Sequence, residues 1–349
     1  LHPNLTSVEL SGGRVVPTPT GFKIDNESNI DINASGDTYI YMAIRRPHKP
    51  PTAATEVFNP VAQVGTVPNF VANFPVDFAI RLLTASGNTT LSQSVVARLT
   101  GETLLATSQS NAELDVTQQS YSISWDHMDG WGDFGGSSTA LNFKRAPGFM
   151  DVVAYAGTAS AQTLNHGLGV IPEMMIVKRR SDIEDWLVYH KDTGNQAGTG
   201  FATNSTFTSI SAYWDSTTPT STTFRVGTHG RTNTSGYNYI AYLFATLPGI
   251  SKVGSYSGST GSNIDVDCGF SAGARLVLIK RITFAGSWYL WDTTRGIVSG
   301  NDPYILLDST AAQITDQDNI DPINSGFRVV STLGALNATG STYLFLAIA

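Results

Sequence analysis

Apolar positions along this chain fall into short runs. Some alternate with polar residues and some fill every position, and Gly, Asn and Ser turns separate them. In Tyr39-Ile40-Tyr41-Met42-Ala43-Ile44 and Tyr343-Leu344-Phe345-Leu346-Ala347-Ile348 nearly every residue is apolar, the pattern of a strand covered on both faces. Met174 to Lys178 and Leu276 to Lys280 are shorter buried-strand candidates that end in a cation at the rim. The one weak helical candidate, Leu99 to Leu114, contains Gly101 and many Ser, Thr and Asn residues, which oppose a long helix. The predicted class is all-β, in antiparallel β-sandwich (jelly-roll-like) modules.

The pattern also repeats. RAPGFMDVVAYAG ends at Gly157 and its weaker copy TLPGISKVGSYSG ends at Gly258, 101 residues later. IPEMMIVKRR with Lys178 recurs as AGARLVLIKRI with Lys280, and WLVYHKDTG from Trp186 recurs as WYLWDTTRG from Trp288, both at an offset of 102. Solenoid units are shorter, about 20 to 50 residues, so this period predicts tandem domains, a rod or array of similar modules.

A third motif places the boundaries. NASGDTYIYMAI from Asn33, NTSGYNYIAYLF from Asn233 and NATGSTYLFLAI from Asn337 each put an Asn, small residue, Ser/Thr, Gly turn before an apolar strand, and GFKI at Gly21 matches GFRV at Gly326. Residues 1–58 therefore read as the second half of a β module whose first half is missing, followed by a divergent module at 59–149 and full modules at 150–249 and 250–349. Since the first residue is Leu, the chain is expected to be a piece of a longer protein, with Ala349, which closes a repeated strand, as its natural C-terminus. The two full modules are expected to superpose. Gly36, Gly236 and Gly340 are expected to take positive φ.

Composition narrows the function. Only 14% of residues are charged, and the net charge is −7 with no cationic run longer than Arg45-Arg46 or Lys178-Arg179-Arg180, so nucleic acid is not an expected partner. Those cations read as solvated strand ends. No apolar run approaches the ~20 residues of a membrane span, so no membrane insertion is expected. A single cysteine, Cys268, excludes an intrachain disulfide and fits a protein made in a reducing compartment that later works outside a cell.

The most site-like segment is Trp125-Asp126-His127-Met128-Asp129-Gly130-Trp131-Gly132-Asp133-Phe134, where the divergent module leaves the shared pattern. Trp125 and Trp131 offer faces that could stack on a sugar, and Asp126, His127, Asp129 and Asp133 could hydrogen-bond its hydroxyls. On this reading Trp131→Ala lowers binding and leaves stability nearly unchanged. The competing reading is a Gly-rich turn with its tryptophans in the core. Met128 interrupts the alternating oxygen ligands of a calcium loop. Trp186 and Trp288 occupy equivalent positions and read as packing, which leaves Tyr213, Trp214 and Trp291 as the unmatched aromatics. Asp265 and Asp267 alternate along one strand face and read as a solvated edge, and Glu184-Asp185 is a further carboxylate pair. His166, His190 and His229 lack metal-ligand spacing, and no nucleophile elbow, Walker loop or zinc motif occurs. No metal, cofactor or catalytic residue is expected.

FKRAPGFMDVVAYAGTASAQTLNHGLGVIPEMMIVKRR from Phe143, with WLVYHKD from Trp186, TYIYMAIRRPHKPPTAATEVF from Thr38 and GNDPYILLDSTAA from Gly300, resembles a module of tail-fibre and other virion proteins of tailed bacteriophages. The likeness is strongest over 140–349 and weaker over 85–135. It implies a non-catalytic structural protein located in the virion, a tail fibre or receptor-binding component for host attachment. It also implies a homotrimer, with other virion proteins and a host surface glycan or protein as partners. A purely architectural capsid fibre or tail decoration and a fibre-borne glycan depolymerase are the alternatives.

Overall fold

The computed structural model describes residues 15–18, 21–24, 36–43, 49–83, 93–119, 122–132 and 138–349, which fall into two compact units, 1–47 and 48–349. In the first unit, β1 (Val15–Thr18) and β2 (Gly21–Ile24) form an antiparallel hairpin with Val15 opposite Ile24 and Pro17 opposite Phe22. Gly36 then turns the chain at φ +90°, a conformation glycine takes without steric cost. Residues 25–35 and Arg45-Arg46 lie outside the described residues.

The second unit contains three sheets built on one plan. The first has β3 (Phe58–Ala62), β4 (Phe70–Val71), β5 (Phe78–Leu83), β6 (Gln93–Ala97), β7 (Thr103–Ala106), β8 (Leu114–Asp115), β9 (Gly130–Trp131) and β10 (Ser138–Phe143). Its order is β3-β10-β5-β6-β7-β8, with β4-β9 as a separate pair. The stretch 99–114 is a short 3₁₀ turn, Arg98–Thr100, followed by β7 and the start of β8, with no α-helix.

The second has β11 (Met150–Ala156), β12 (Gln162–Asn165), β13 (Met174–Arg179), β14 (Leu187–His190), β15 (Ala197–Gly198), β16 (Thr208–Ser209), β17 (Thr223–Val226) and β18 (Asn238–Phe244). These give a main sheet β11-β18-β13-β14 and the pairs β12-β17 and β15-β16. The third has β19 (Ser251–Ser257), β20 (Ile264–Asp267), β21 (Leu276–Arg281), β22 (Trp288–Asp292), β23 (Ile305–Leu306), β24 (Ile320–Ile323), β25 (Gly326–Val329) and β26 (Thr342–Ile348). Its main sheet is β19-β26-β21-β22-β23, backed by β20-β25-β24.

In every main sheet the first strand pairs with the last, and the last with a central strand that pairs onward. Every pairing is antiparallel. The register is shared as well: Phe78 faces Phe143, Met174 faces Phe244 and Leu276 faces Ile348. Segments 150–249 and 250–349 thus share the order of their first four main-sheet strands, the third segment adding β23 at the edge and β24 to the backing sheet, and the divergent segment keeps the same order over β3-β10-β5-β6 under a different sequence. Gly236 and Gly340 sit at φ +83° and +75° before β18 and β26.

The modules are not strung out as a rod. Alternate residues of the central strands, Phe78 and Ile80, Met174 and Ile176, Leu276 and Leu278, meet in one common core together with Tyr242, Phe244, Leu346 and Ile348. The residues between them face outward into three separate cores. Ala79 lies with Phe70 and Trp131, Met175 and Val177 with Trp214 and Phe224, and Val277 and Ile279 with Trp291 and Phe327. Each main sheet is therefore covered on both faces, which is why its strands are apolar at almost every position. At the centre lies a void of about 20 Å³ lined by Phe78, Ile176, Trp186, Tyr242, Leu278 and Leu346. Its size is that of a single water, and its purely apolar lining gives a water no partner.

Candidate functional site

The 122–132 segment is built inward. Trp131, on β9, pairs with Phe70 of β4, stacks on its ring at 4.7 Å and on Trp125 at 5.5 Å. It is fully buried and donates its indole N–H to Asn142 Oδ1 at 2.7 Å, while Asn142 donates to the Asn59 carbonyl at 3.0 Å. Trp125 donates to the Gly101 carbonyl at 2.9 Å, and the Arg98 guanidinium lies 5.5 Å from its ring. Gly130 is required by close approach: a Cβ there would stand 2.1 Å from the Phe70 carbonyl oxygen. The Asp129 carbonyl accepts from the Ala72 and Asn73 amides, both at 2.8 Å, which pins the loop to the strand beside it.

This arrangement corrects the carbohydrate-stacking expectation. The faces of Trp125 and Trp131 are engaged by Phe70, by Arg98 and by each other, because a buried indole with a satisfied N–H is worth more in the core than at the surface. Asp126 and Asp129 are exposed and His127 is half-buried, with its ring near Ser124 Oγ at 3.4 Å. These three remain at the surface without an aromatic platform between them. Asp133 lies outside the described residues. Tyr213, Trp214 and Trp291 are likewise core residues, and Trp214 donates to the Ala197 carbonyl at 2.9 Å.

The residues that the sequence reading undervalued are the repeated cations. Lys178 and Lys280 are fully buried, although both read as cations at a strand rim and the cluster of Lys178 as a solvated strand end. Lys178 Nζ donates to the carbonyls of Arg179 (2.7 Å), Glu184 (2.8 Å) and, in the neighbouring module, Ser110 (3.1 Å). Lys280 Nζ donates to the carbonyl of Gly286 and reaches that of Thr203 in the preceding module at 3.5 Å. Burial pulls both amines down to about 8.

The repeated tryptophans act beside them. Trp186 Nε1 donates to the Ala106 and Gln109 carbonyls, both at 3.1 Å, and Trp288 Nε1 donates to the Gly200 carbonyl at 3.1 Å. Equivalent residues of the second and third modules thus grip the loop of the module before. Arg180 adds a bidentate pair to Glu113 at 2.8 and 3.0 Å. Different residues close the ring. Arg275 of the third module donates to the Phe58 carbonyl (3.0 Å) and Asn59 Oδ1 (2.6 Å), and Thr107 of the first donates to the Leu307 carbonyl (2.7 Å). Head-to-tail contacts of this kind form a ring when the rotation closes.

Other titratable groups are also committed to structure. His190 is buried, its Nδ1 accepts from the Asp192 amide at 3.2 Å, and burial holds it down to about 4. Asp265 pairs with Arg328, Asp267 accepts from the Gly269 amide at 2.8 Å, and Glu184 pairs with Arg179 at 2.9 Å. Burial pushes the Cys268 thiol up to about 12, which suppresses the reactive thiolate. Among the described residues, no three His, Cys, Asp or Glu side chains are grouped to hold a metal ion.

A family described as a domain of unknown function (DUF7483) matches residues 81–349, from the middle of β5 through the last strand. No curated protein matches the chain.

Proposed function

The chain belongs to the DUF7483 family of unknown function, and we propose that it acts as a non-catalytic structural component of a bacteriophage virion, of the tail-fibre kind. The observation that carries this reading is the closed ring. Three equivalent sandwiches bury their central strands in one core, and equivalent lysines and tryptophans lock successive modules together. A body of this construction transmits load and resists unfolding, and its loops can vary without disturbing the core. The resemblance of the RAPGF…MIVKRR segments to fibre modules supports the same reading.

Host attachment, on this proposal, belongs to exposed loops and not to tryptophan stacking at 125–131. Burial of Trp125 and Trp131 favours the second reading, a purely architectural fibre or decoration part. Adsorption competition separates the two. If the purified chain at micromolar concentration blocks phage adsorption to host cells, it is the attachment component. If gold-labelled antibody decorates the particle but the chain does not compete, it is architectural. Absence of the chain from purified particles refutes both, and loss of polysaccharide viscosity on adding it would establish a depolymerase instead.

A further inference from the structure

The three junctions of the ring are not alike. The chain passes directly from the first module into the second through residues 144–149 and from the second into the third through 245–250. Within residues 48–349 no segment leads from the third module back to the first. The ring therefore has one seam, where the start of β21 meets the start of β3 without a covalent link.

One backbone position marks each junction. Asp77, Glu173 and Arg275 directly precede the central strands β5, β13 and β21, and donate their amides to the carbonyls of Phe143, Phe244 and Ile348 at 2.9, 2.9 and 2.7 Å. At the two linked junctions the side chain is a carboxylate that accepts from the linker. Asp77 Oδ2 takes the Arg145 amide at 2.8 Å, and Glu173 Oε2 takes the Thr246 amide at 2.9 Å. At the seam the polarity is reversed. The guanidinium of Arg275 donates to the Phe58 carbonyl at 3.0 Å and to Asn59 Oδ1 at 2.6 Å, and lies 5.6 Å from the Phe58 ring. A carboxylate only accepts, so it could not serve against these two acceptors, whereas a guanidinium donates to both at once.

The lysine–tryptophan grip is also replaced in the first module. Leu82 pairs with Gln93 as Lys280 pairs with Trp288, so a leucine and a glutamine stand where the amine and the indole hold the preceding module at the other junctions. Gln93 is buried, and neither its Nε2 nor its Oε1 has a hydrogen-bond partner. At the linked junctions, by contrast, Lys178 and Trp186 donate to five carbonyls, Lys280 and Trp288 to three.

We propose that the ring opens at this seam and that Arg275 is its clasp: the first and third modules part before either linked junction does, and small rotations at the linked junctions take up the motion. Proteins open sub-globally where the fewest interactions are lost. Here that means the bonds of Arg275 and the bond from Thr107 to the Leu307 carbonyl, with the linkers and both lysine–tryptophan grips retained. The inference stands independently of the virion reading.

Pulsed electron spin-resonance distances test it in the full chain, with Cys268→Ala as background and spin labels placed two at a time at Asn111→Cys, Ser205→Cys and Ala311→Cys. These three sites are exposed and follow β7, β15 and β23 in the first, second and third modules. In Arg275→Ala the population with a lengthened Asn111–Ala311 distance should grow by about tenfold or more, while the Asn111–Ser205 and Ser205–Ala311 distributions keep those of the parent. An unchanged Asn111–Ala311 distribution overturns the proposal, and so does equal lengthening of all three. Should Arg275→Ala fail to fold, the chain that retains Arg275 is measured in urea below its unfolding midpoint. There the Asn111–Ala311 distance should lengthen first, and earlier or simultaneous lengthening of either other pair overturns the proposal.

Discussion

Removing the indole of Trp186 should weaken all three modules at once. The ring is fully buried in the common core, packs on Phe201 at 5.8 Å, and Phe201 packs in turn on Trp288 of the third module at 4.9 Å. Its N–H also satisfies two carbonyls of the first module. Trp186→Ala therefore opens a large cavity, about 3–5 kcal/mol by comparison with other buried aromatic truncations. The carbonyls of Ala106 and Gln109 lose their donor, a further cost of about 1–3 kcal/mol. Even the lower end is a large share of a domain's stability of about 5–15 kcal/mol. Differential scanning calorimetry of residues 48–349 should show one transition displaced to lower temperature, with its enthalpy undivided. A variant with an early transition for 150–249 and the remainder melting at the parent temperature would refute the shared core.

Trp131→Ala should cost about 3–5 kcal/mol in a urea titration, because the ring lies in the private core of the first module and its loss takes the indole donor from the buried Asn142 Oδ1. A midpoint close to the parent's, combined with lost adsorption, would restore Trp131 as a ligand platform. His190 sets an acid limit. Its folded pKa, about 4, lies below the ordinary 6.5, so the neutral-imidazole contribution is fully present above pH 6.5 and is lost as pH falls through 4, by about 3 kcal/mol at most. His190→Gln should flatten stability between pH 6.5 and 4, and an unchanged slope would show that other groups set it.

Much of the fold was legible because it depends on local chemistry. The Asn, Ser/Thr, Gly turns forced Gly36, Gly236 and Gly340 into positive φ, and β18 and β26, apolar at nearly every position, had to be covered twice, whereas the matching run at 39–43 forms no strand and leaves Ile40 and Met42 exposed. What covers the second face was not legible. Ile176 and Val177 are both simply apolar in the sequence, and only the closed ring assigns one to the common core and the other to a private one. Lys178 and Lys280 misled for a related reason: a cation after an apolar strand signals a rim when the strand end is free, but here a neighbouring loop supplies carbonyls there. The signal available was their recurrence, since a solvated side chain has no reason to repeat together with a tryptophan eight residues on. Trp131 misled because β9 is only two residues long, too short for alternation to reveal it as a strand.

Small-angle X-ray scattering of residues 48–349 tests most directly whether the three modules form one body. A compact chain of this length has a radius of gyration of about 19 Å, whereas three 100-residue sandwiches in line would give about 30 Å. The common core requires a value near the first, with a bell-shaped distance distribution. A value near 30 Å, with the long tail of a rod, would contradict it.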